Sequence, residues 1–149
     1  MKKLLFIIIA LLVIGCSKGK TSSCLGGSNE YKYDYSDVEH LKIKWEDILK
    51  QKEERYFAYI YSYTCGHCNQ IKPFVIEKAL VGDPIIYFIS YTNDIPIISN
   101  PTLNEGKDKY EELGIGGTPS LFDISSGVVN GCYTGTKEII ETLTNRDNE

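Results

Sequence analysis

Two cysteines three residues apart, in Cys65-Gly66-His67-Cys68, stand directly after the apolar and aromatic run "YFAYIY" of residues 56–61. A stretch that suits a helix follows at once. The residues Tyr56 to Tyr63 read as a buried strand, and a helix is predicted from Thr64 or Cys65 to Leu80, kinked at Pro73. The pair therefore sits where a strand hands over to a helix. Helical residues three apart face the same way, so the two sulfurs can meet. Cys65 is predicted in the first turn, where free backbone N–H groups and the helix dipole favour negative charge. A thiolate is the nucleophile of thiol–disulfide exchange, so that placement activates Cys65. His67, when protonated, adds to the effect, and Cys68 is the natural resolving thiol. Stabilising the reduced form makes the disulfide a stronger oxidant. A metal site would need two further ligands, from His40, His67, Cys24 and Cys132, and no second CxxC exists to supply them. A purely structural disulfide closing so small a loop gains little stability. The pair reads as a redox reagent.

The elements around it alternate. Val38 to Lys44 is predicted as a short strand and Trp45 to Glu54 as a helix. Ile85 to Tyr91 is a second apolar strand, and Thr92 to Pro101 is irregular. Asn104 to Leu113 suits a helix stopped by Gly114. Ser120 to Ile124 and Val128 to Tyr133 flank the turn Ser125-Ser126-Gly127. Thr136 caps a last helix in which Ile139, Ile140 and Leu143 share a face. The predicted order is βαβαβαββα, an α/β fold with a central mixed β-sheet flanked by helices.

At 149 residues the chain suits one folded domain. Its start does not belong to that domain. Met1-Lys2-Lys3 is basic, Leu4 to Ile14 is an unbroken apolar run, and Val13-Ile14-Gly15-Cys16 resembles a bacterial lipobox. The resemblance implies a signal peptide over residues 1–15 and a diacylglycerol on the sulfur of Cys16. Residues 16–37, rich in Ser, Gly, Lys and Asp, read as a flexible tether. The folded domain is then expected over residues 38–149, lipid-anchored at the outer face of a bacterial membrane, where disulfides persist. The net charge is −4, and no basic stripe appears, which argues against a nucleic-acid partner.

With CGHC at a strand-to-helix junction, Pro73 five residues after Cys68, and Thr118-Pro119 ahead of a late strand, the chain resembles the thioredoxin superfamily from about Val38 to its C-terminus. The resemblance implies a thioredoxin fold in which Pro119 is cis and faces the cysteines. It also implies that the backbone of Thr118 can pair with an extended substrate peptide. Tyr63, beside Thr64-Cys65, is the best exposed aromatic candidate for substrate contact. Two departures from cytosolic thioredoxins stand out. Tyr59 occupies the position of their buried aspartate, so another group or water must move the proton. Gly66-His67 matches disulfide isomerases rather than the Gly-Pro of thioredoxins.

The expectation is a thiol–disulfide oxidoreductase that exchanges disulfides with exported proteins or peptides, with oxidase or isomerase action favoured. Its cofactor is the Cys65–Cys68 pair itself, with no metal, and a membrane redox partner recharges it. The alternatives are a reductase for exported proteins or cytochrome maturation, or a non-enzymatic accessory protein that binds a bacteriocin or copper. Cys24 and Cys132 either pair with each other or serve as a tether thiol and a small strand residue. His40 and Lys72 are expected to be solvated. Gly116-Gly117 is expected to let the backbone approach the site.

Overall fold

The structure is a computed structural model that describes residues 32–145. Strand β1, Arg55–Tyr61, lies at the centre of a four-stranded sheet. It pairs in parallel with β2, Ile86–Ser90, and antiparallel with β3, Ser120–Ser125, which pairs in turn with β4, Val128–Thr134. Helix α1, Gly66–Val81, links β1 to β2, and helix α2, Thr136–Asn145, closes the described chain.

The two-residue period of a strand divides β1 between two cores. Phe57, Tyr59 and Tyr61 join Ile86, Phe88 and Leu121 against the buried stripe of α1, which is Cys68, Ile71, Val75, Ile76 and Ala79. Tyr56, Ala58 and Ile60 face the other way, towards Trp45, Ile48, Ile115, Phe122 and Ile124. Both faces of β1 are buried, which explains its continuous apolar run. The β3–β4 hairpin turns through Ser126 and Gly127, at φ 51° and 76°, the left-handed pair that a tight hairpin requires.

The predicted order holds only in part. The first strand is reduced to one bridge, Lys42 to Phe88, with the Ile43 N–H donating to the Phe88 carbonyl at 2.9 Å. Residues Trp45–Asp47 form a single 3₁₀ turn in place of a helix to Glu54. No side chain caps that turn, and the Gln51 amide donates at 2.8 Å to the Asp47 carbonyl, the acceptor that a helix would offer to the Gln51 backbone. Helix 104–113 is also absent, replaced by 3₁₀ turns at Pro101–Asn104 and Tyr110–Glu112. Asn104 is the cause. Fully buried, it donates to the carbonyls of Pro101 and Gly114, both at 2.8 Å, and accepts from the Gly114 N–H at 3.0 Å. Gly106 and Lys107 then run alongside Val129 instead of coiling. Irregular chain therefore covers the second face of the sheet. In α2, Ile139 and Leu143 are buried but Ile140 is 37% exposed, off the predicted shared face.

Asn104→Ala removes a donor to two carbonyls and an acceptor for one N–H at a fully buried position. Urea unfolding is expected to show a loss of about 2 kcal/mol. A change below roughly 0.5 kcal/mol would mean that the loop closes without it.

The folded body also begins earlier than predicted. Tyr35, assigned to the tether, is 1% exposed and belongs to the α1-side core, and Tyr33 packs against that core.

Candidate active site

The turn after β1 delivers the cysteine pair to the start of α1. The Cys65 N–H donates to the Ser62 carbonyl at 3.2 Å, which closes the turn, and the Asn69 N–H donates to the Cys65 carbonyl at 3.1 Å. Cys65 is thus the N-cap of α1, one position before the first turn in which it was predicted, with extended φ −82° and ψ 115°. The correction places it better for chemistry. A cap side chain receives the unpaired N–H groups of the first turn, and the Cys68 N–H donates to Cys65 Sγ at 3.1 Å.

Cys65 and Cys68 form a disulfide with their Cα atoms 5.2 Å apart. The two sulfurs are unequal. Cys68 is fully buried against the tyrosine-rich core, while Cys65 is partly exposed. Only Cys65 can be reached by a second polypeptide, and Cys68 is placed to attack or leave from inside.

The other wall of the site is the loop before β3. The Thr118–Pro119 peptide is cis, Pro119 is buried, and the Thr118 carbonyl oxygen stands 3.2 Å from Cys65 Sγ. The expectation that this peptide bond is cis is met, and the atom seen beside the Cys65 sulfur is the Thr118 carbonyl oxygen. Gly116 earns its place here. A Cβ on it would lie 2.8 Å from Pro101 Cγ and 2.9 Å from Thr134 Oγ1, so only glycine lets the loop pack this closely. Gly117, at φ 140°, needs the backbone freedom instead.

Tyr63 lies two residues before Cys65 in the chain. It is 59% exposed, yet its ring meets the edges of Tyr61 and Tyr35 at 5.3 and 5.6 Å, and its hydroxyl lies 3.3 Å from that of Tyr61. His67 is exposed, and its side-chain hydrogen-bond contact among the described residues is Gln70, at 3.4 Å, rather than either sulfur. It faces a shallow groove shared with Thr134 to Glu138.

Tyr59, which stands where cytosolic thioredoxins carry an acidic proton acceptor, is fully buried in the same core as Cys68. Burial pushes its phenol far above the ordinary range, as it does that of Tyr35, and neither hydroxyl finds hydrogen-bond geometry. These phenols stay neutral at any ordinary pH. They cannot act as the base.

Cys132 is a free, buried thiol in the opposite core, its pKa pushed up to about 12 by burial. Burial keeps the thiol protonated and unreactive at neutral pH. Cys16 and Cys24, and with them the lipidation and the possible Cys24–Cys132 pairing, lie outside the described residues. Among the described residues no group of three or more His, Cys, Asp or Glu side chains could hold a metal ion. His40 is exposed, as expected, whereas Lys72 is mostly covered and paired with Asp34 at 2.8 Å. Sequence reasoning missed three contributors: Tyr35, which backs Tyr63, and Ser120 and Thr134, which lie behind the Thr118 loop. The alternation Tyr31-Lys32-Tyr33-Asp34-Tyr35 was the one available hint of the first.

No family model matches the chain, and no curated protein does. Several solved thioredoxin structures resemble it. Thioredoxin f from spinach chloroplast (short form) is 19% identical, with 71% of this chain and 91% of that one covered, at a TM-score of 0.49. Thioredoxin from Aeropyrum pernix is 18% identical, over 70% and 79% of the two chains, at 0.46. Thioredoxin f2 from Chlamydomonas reinhardtii is 13% identical, over 72% and 96%, at 0.44. Likeness at this level carries no functional argument, and the geometry above stands without it.

Proposed function

We propose that this protein is a thiol–disulfide oxidoreductase that exchanges disulfides with exported proteins or peptides, lipid-anchored through Cys16 outside a bacterial membrane, and acting as an oxidase or isomerase. The observation that carries the redox chemistry is the asymmetry of the pair: an accessible sulfur at a helix N-cap, joined to a buried sulfur three residues on. The lipobox-like Val13 to Cys16 and the basic-apolar start support the location. Gly66-His67 supports the direction.

In the oxidising direction a substrate thiolate attacks Cys65 Sγ and breaks the Cys65–Cys68 bond. Cys68 leaves as a thiolate and takes up a proton. A second substrate thiolate then attacks the mixed disulfide and expels Cys65. The substrate gains a disulfide and the protein holds two electrons as a dithiol. Isomerisation runs the second step in reverse: the Cys65 thiolate attacks a substrate disulfide, a substrate thiolate leaves, and a different substrate thiolate later expels Cys65. The Cys68 N–H, aimed at Cys65 Sγ, stabilises the thiolate that both routes produce or use. A membrane partner reoxidises the pair.

Two measurements test this. In Cys68→Ala the resolving thiol is gone, so the reduced variant is expected to accumulate mixed disulfides with scrambled or exported proteins through Cys65. Non-covalent retention alone would instead support an accessory binding protein. The equilibrium of the wild-type pair with glutathione decides direction. A potential above about −200 mV, on the side of disulfide isomerase and strong oxidases, is expected; one near −260 mV or lower would make the protein a reductase.

A further inference from the structure

The geometry points to Ser120, with Thr134, as a positioning residue that holds the Thr118 carbonyl against Cys65 and so restrains the reactivity of that thiol. The inference rests on the redox reading of the Cys65–Cys68 pair. Ser120 is the first residue of β3, lies opposite Ile60 on β1 and Thr134 on β4, and is fully buried. A buried serine at the head of a strand in an otherwise apolar layer calls for partners. It has two. Its hydroxyl donates to the Gly117 carbonyl at 2.7 Å and lies 3.1 Å from Thr134 Oγ1.

The consequence falls on the loop. The Gly117 carbonyl is held by Ser120, and the Pro119 carbonyl accepts from the Gly135 N–H at 3.0 Å. Thr134 is itself fixed, because its N–H donates to the Glu138 carboxylate at 3.2 Å. The carbonyls on both sides of Thr118 are thus tied, that of Gly117 to the head of β3 and that of Pro119 to Gly135 between β4 and α2. The carbonyl between them points the other way, to 3.2 Å from Cys65 Sγ.

A carbonyl oxygen there treats the forms of Cys65 differently. A thiol can donate its S–H to that oxygen. A thiolate meets its lone pairs at close range, which is unfavourable. Two groups therefore pull on one sulfur in opposite senses: the Cys68 N–H favours the thiolate and the Thr118 carbonyl favours the thiol. Ser120 sets the strength of the second by fixing where the loop lies. The titratable side chains around this corner are Cys68, a thiol in the reduced protein, and His67 on α1, Tyr133 on β4, and Lys137 and Glu138 on α2, with Tyr63 two residues before Cys65 in the chain. Substituting Ser120 leaves all of them in place, so a difference between variants reports the loop.

The test is the rate at which iodoacetamide labels Cys65 in the reduced full chain at neutral pH, read by mass spectrometry of the Cys65 peptide. Ser120→Ala is expected to be labelled roughly three- to tenfold faster than wild type, Ser120→Thr to stay within about twofold, and Thr134→Val to shift in the same direction as Ser120→Ala. An unchanged or slower rate in Ser120→Ala with wild-type melting would overturn the assignment. If Ser120→Ala fails to fold, Thr134→Val decides alone: faster labelling supports the assignment and an unchanged rate overturns it. A purely structural role would lower the melting temperature without raising the labelling rate of Cys65 in the folded protein. The labelling rate does not depend on a substrate, so a wild type that exchanges no disulfides would refute the redox reading while leaving this measurement informative.

Discussion

Between pH 10 and pH 11 the protein is expected to lose roughly 3 kcal/mol of unfolding free energy from three of the four fully buried tyrosines among the described residues, which must ionise when the chain unfolds, and Tyr56, also raised by burial, adds to it. Tyr35, Tyr59 and Tyr61 are each at most 1% exposed, and burial is the largest cause that raises all three phenols above their ordinary range. The sign follows from which state keeps its protons. Below about pH 9 both states hold the phenols neutral and nothing changes. Above it the unfolded chain releases protons that the folded core retains, so stability falls as pH rises towards the folded values. Each tyrosine contributes about 1 kcal/mol over that unit. Tyr87, raised only to about 12 and partly exposed, adds less, while the Cys132 thiol, raised to about 12, begins to add near pH 9. Urea midpoints at pH 9, 10 and 11 read the slope, and Tyr59→Phe should flatten it by about a third of the tyrosine share. Ordinary phenolate absorbance from the folded protein at pH 10, for every tyrosine, would sink the argument.

The parts of this molecule that were legible in the sequence are those decided by neighbours along the chain. The strand "YFAYIY", the start of α1 and the Ser126-Gly127 hairpin each follow from local pattern and turn chemistry, and each appears within two residues of its prediction. Cys65 missed its position by one because a cap and a first turn look alike in sequence. The failures are all decided across space. Residues 45–54 carry helix-compatible spacing, but the Tyr56 hydroxyl takes the Ile48 carbonyl at 2.8 Å and the Gln51 side chain takes that of Asp47. Residues 104–113 fail because Asn104 turns inward, where helical periodicity reads it as an ordinary polar residue. Ser120 looked like a strand residue with no role. Its meaning appears only when β4 places Thr134 beside it. The cis geometry of Pro119 was reached through the family resemblance and not from the residues themselves, since cis is the minority form of any X-Pro bond.

The misplaced domain boundary leads to the second large effect. Tyr35 sits in a segment that composition marks as tether, yet its ring stacks on Tyr61 with centroids 3.7 Å apart and meets the edges of Tyr63 and Phe88 at 5.6 and 6.3 Å. Lys72 Nζ stands 5.6 Å over the same ring while pairing with Asp34. Tyr35→Ala empties an aromatic-sized site in a close-packed core, so equilibrium unfolding should show a loss of about 3–5 kcal/mol. Tyr35→Phe separates packing from polarity. The hydroxyl is buried without a hydrogen-bond partner, so its removal should leave stability unchanged or raise it by up to about 1 kcal/mol. Asp34→Asn probes the ion pair alone; because Asp34 is exposed, the expected cost is below about 1 kcal/mol. A chain that begins at residue 38 lacks Tyr35 altogether and should lose at least as much as Tyr35→Ala. Tyr63 would lose one of its two tyrosine supports. Should Tyr35→Ala unfold within about 1 kcal/mol of wild type, the segment before Val38 is dispensable to the fold, and the composition-based boundary is restored.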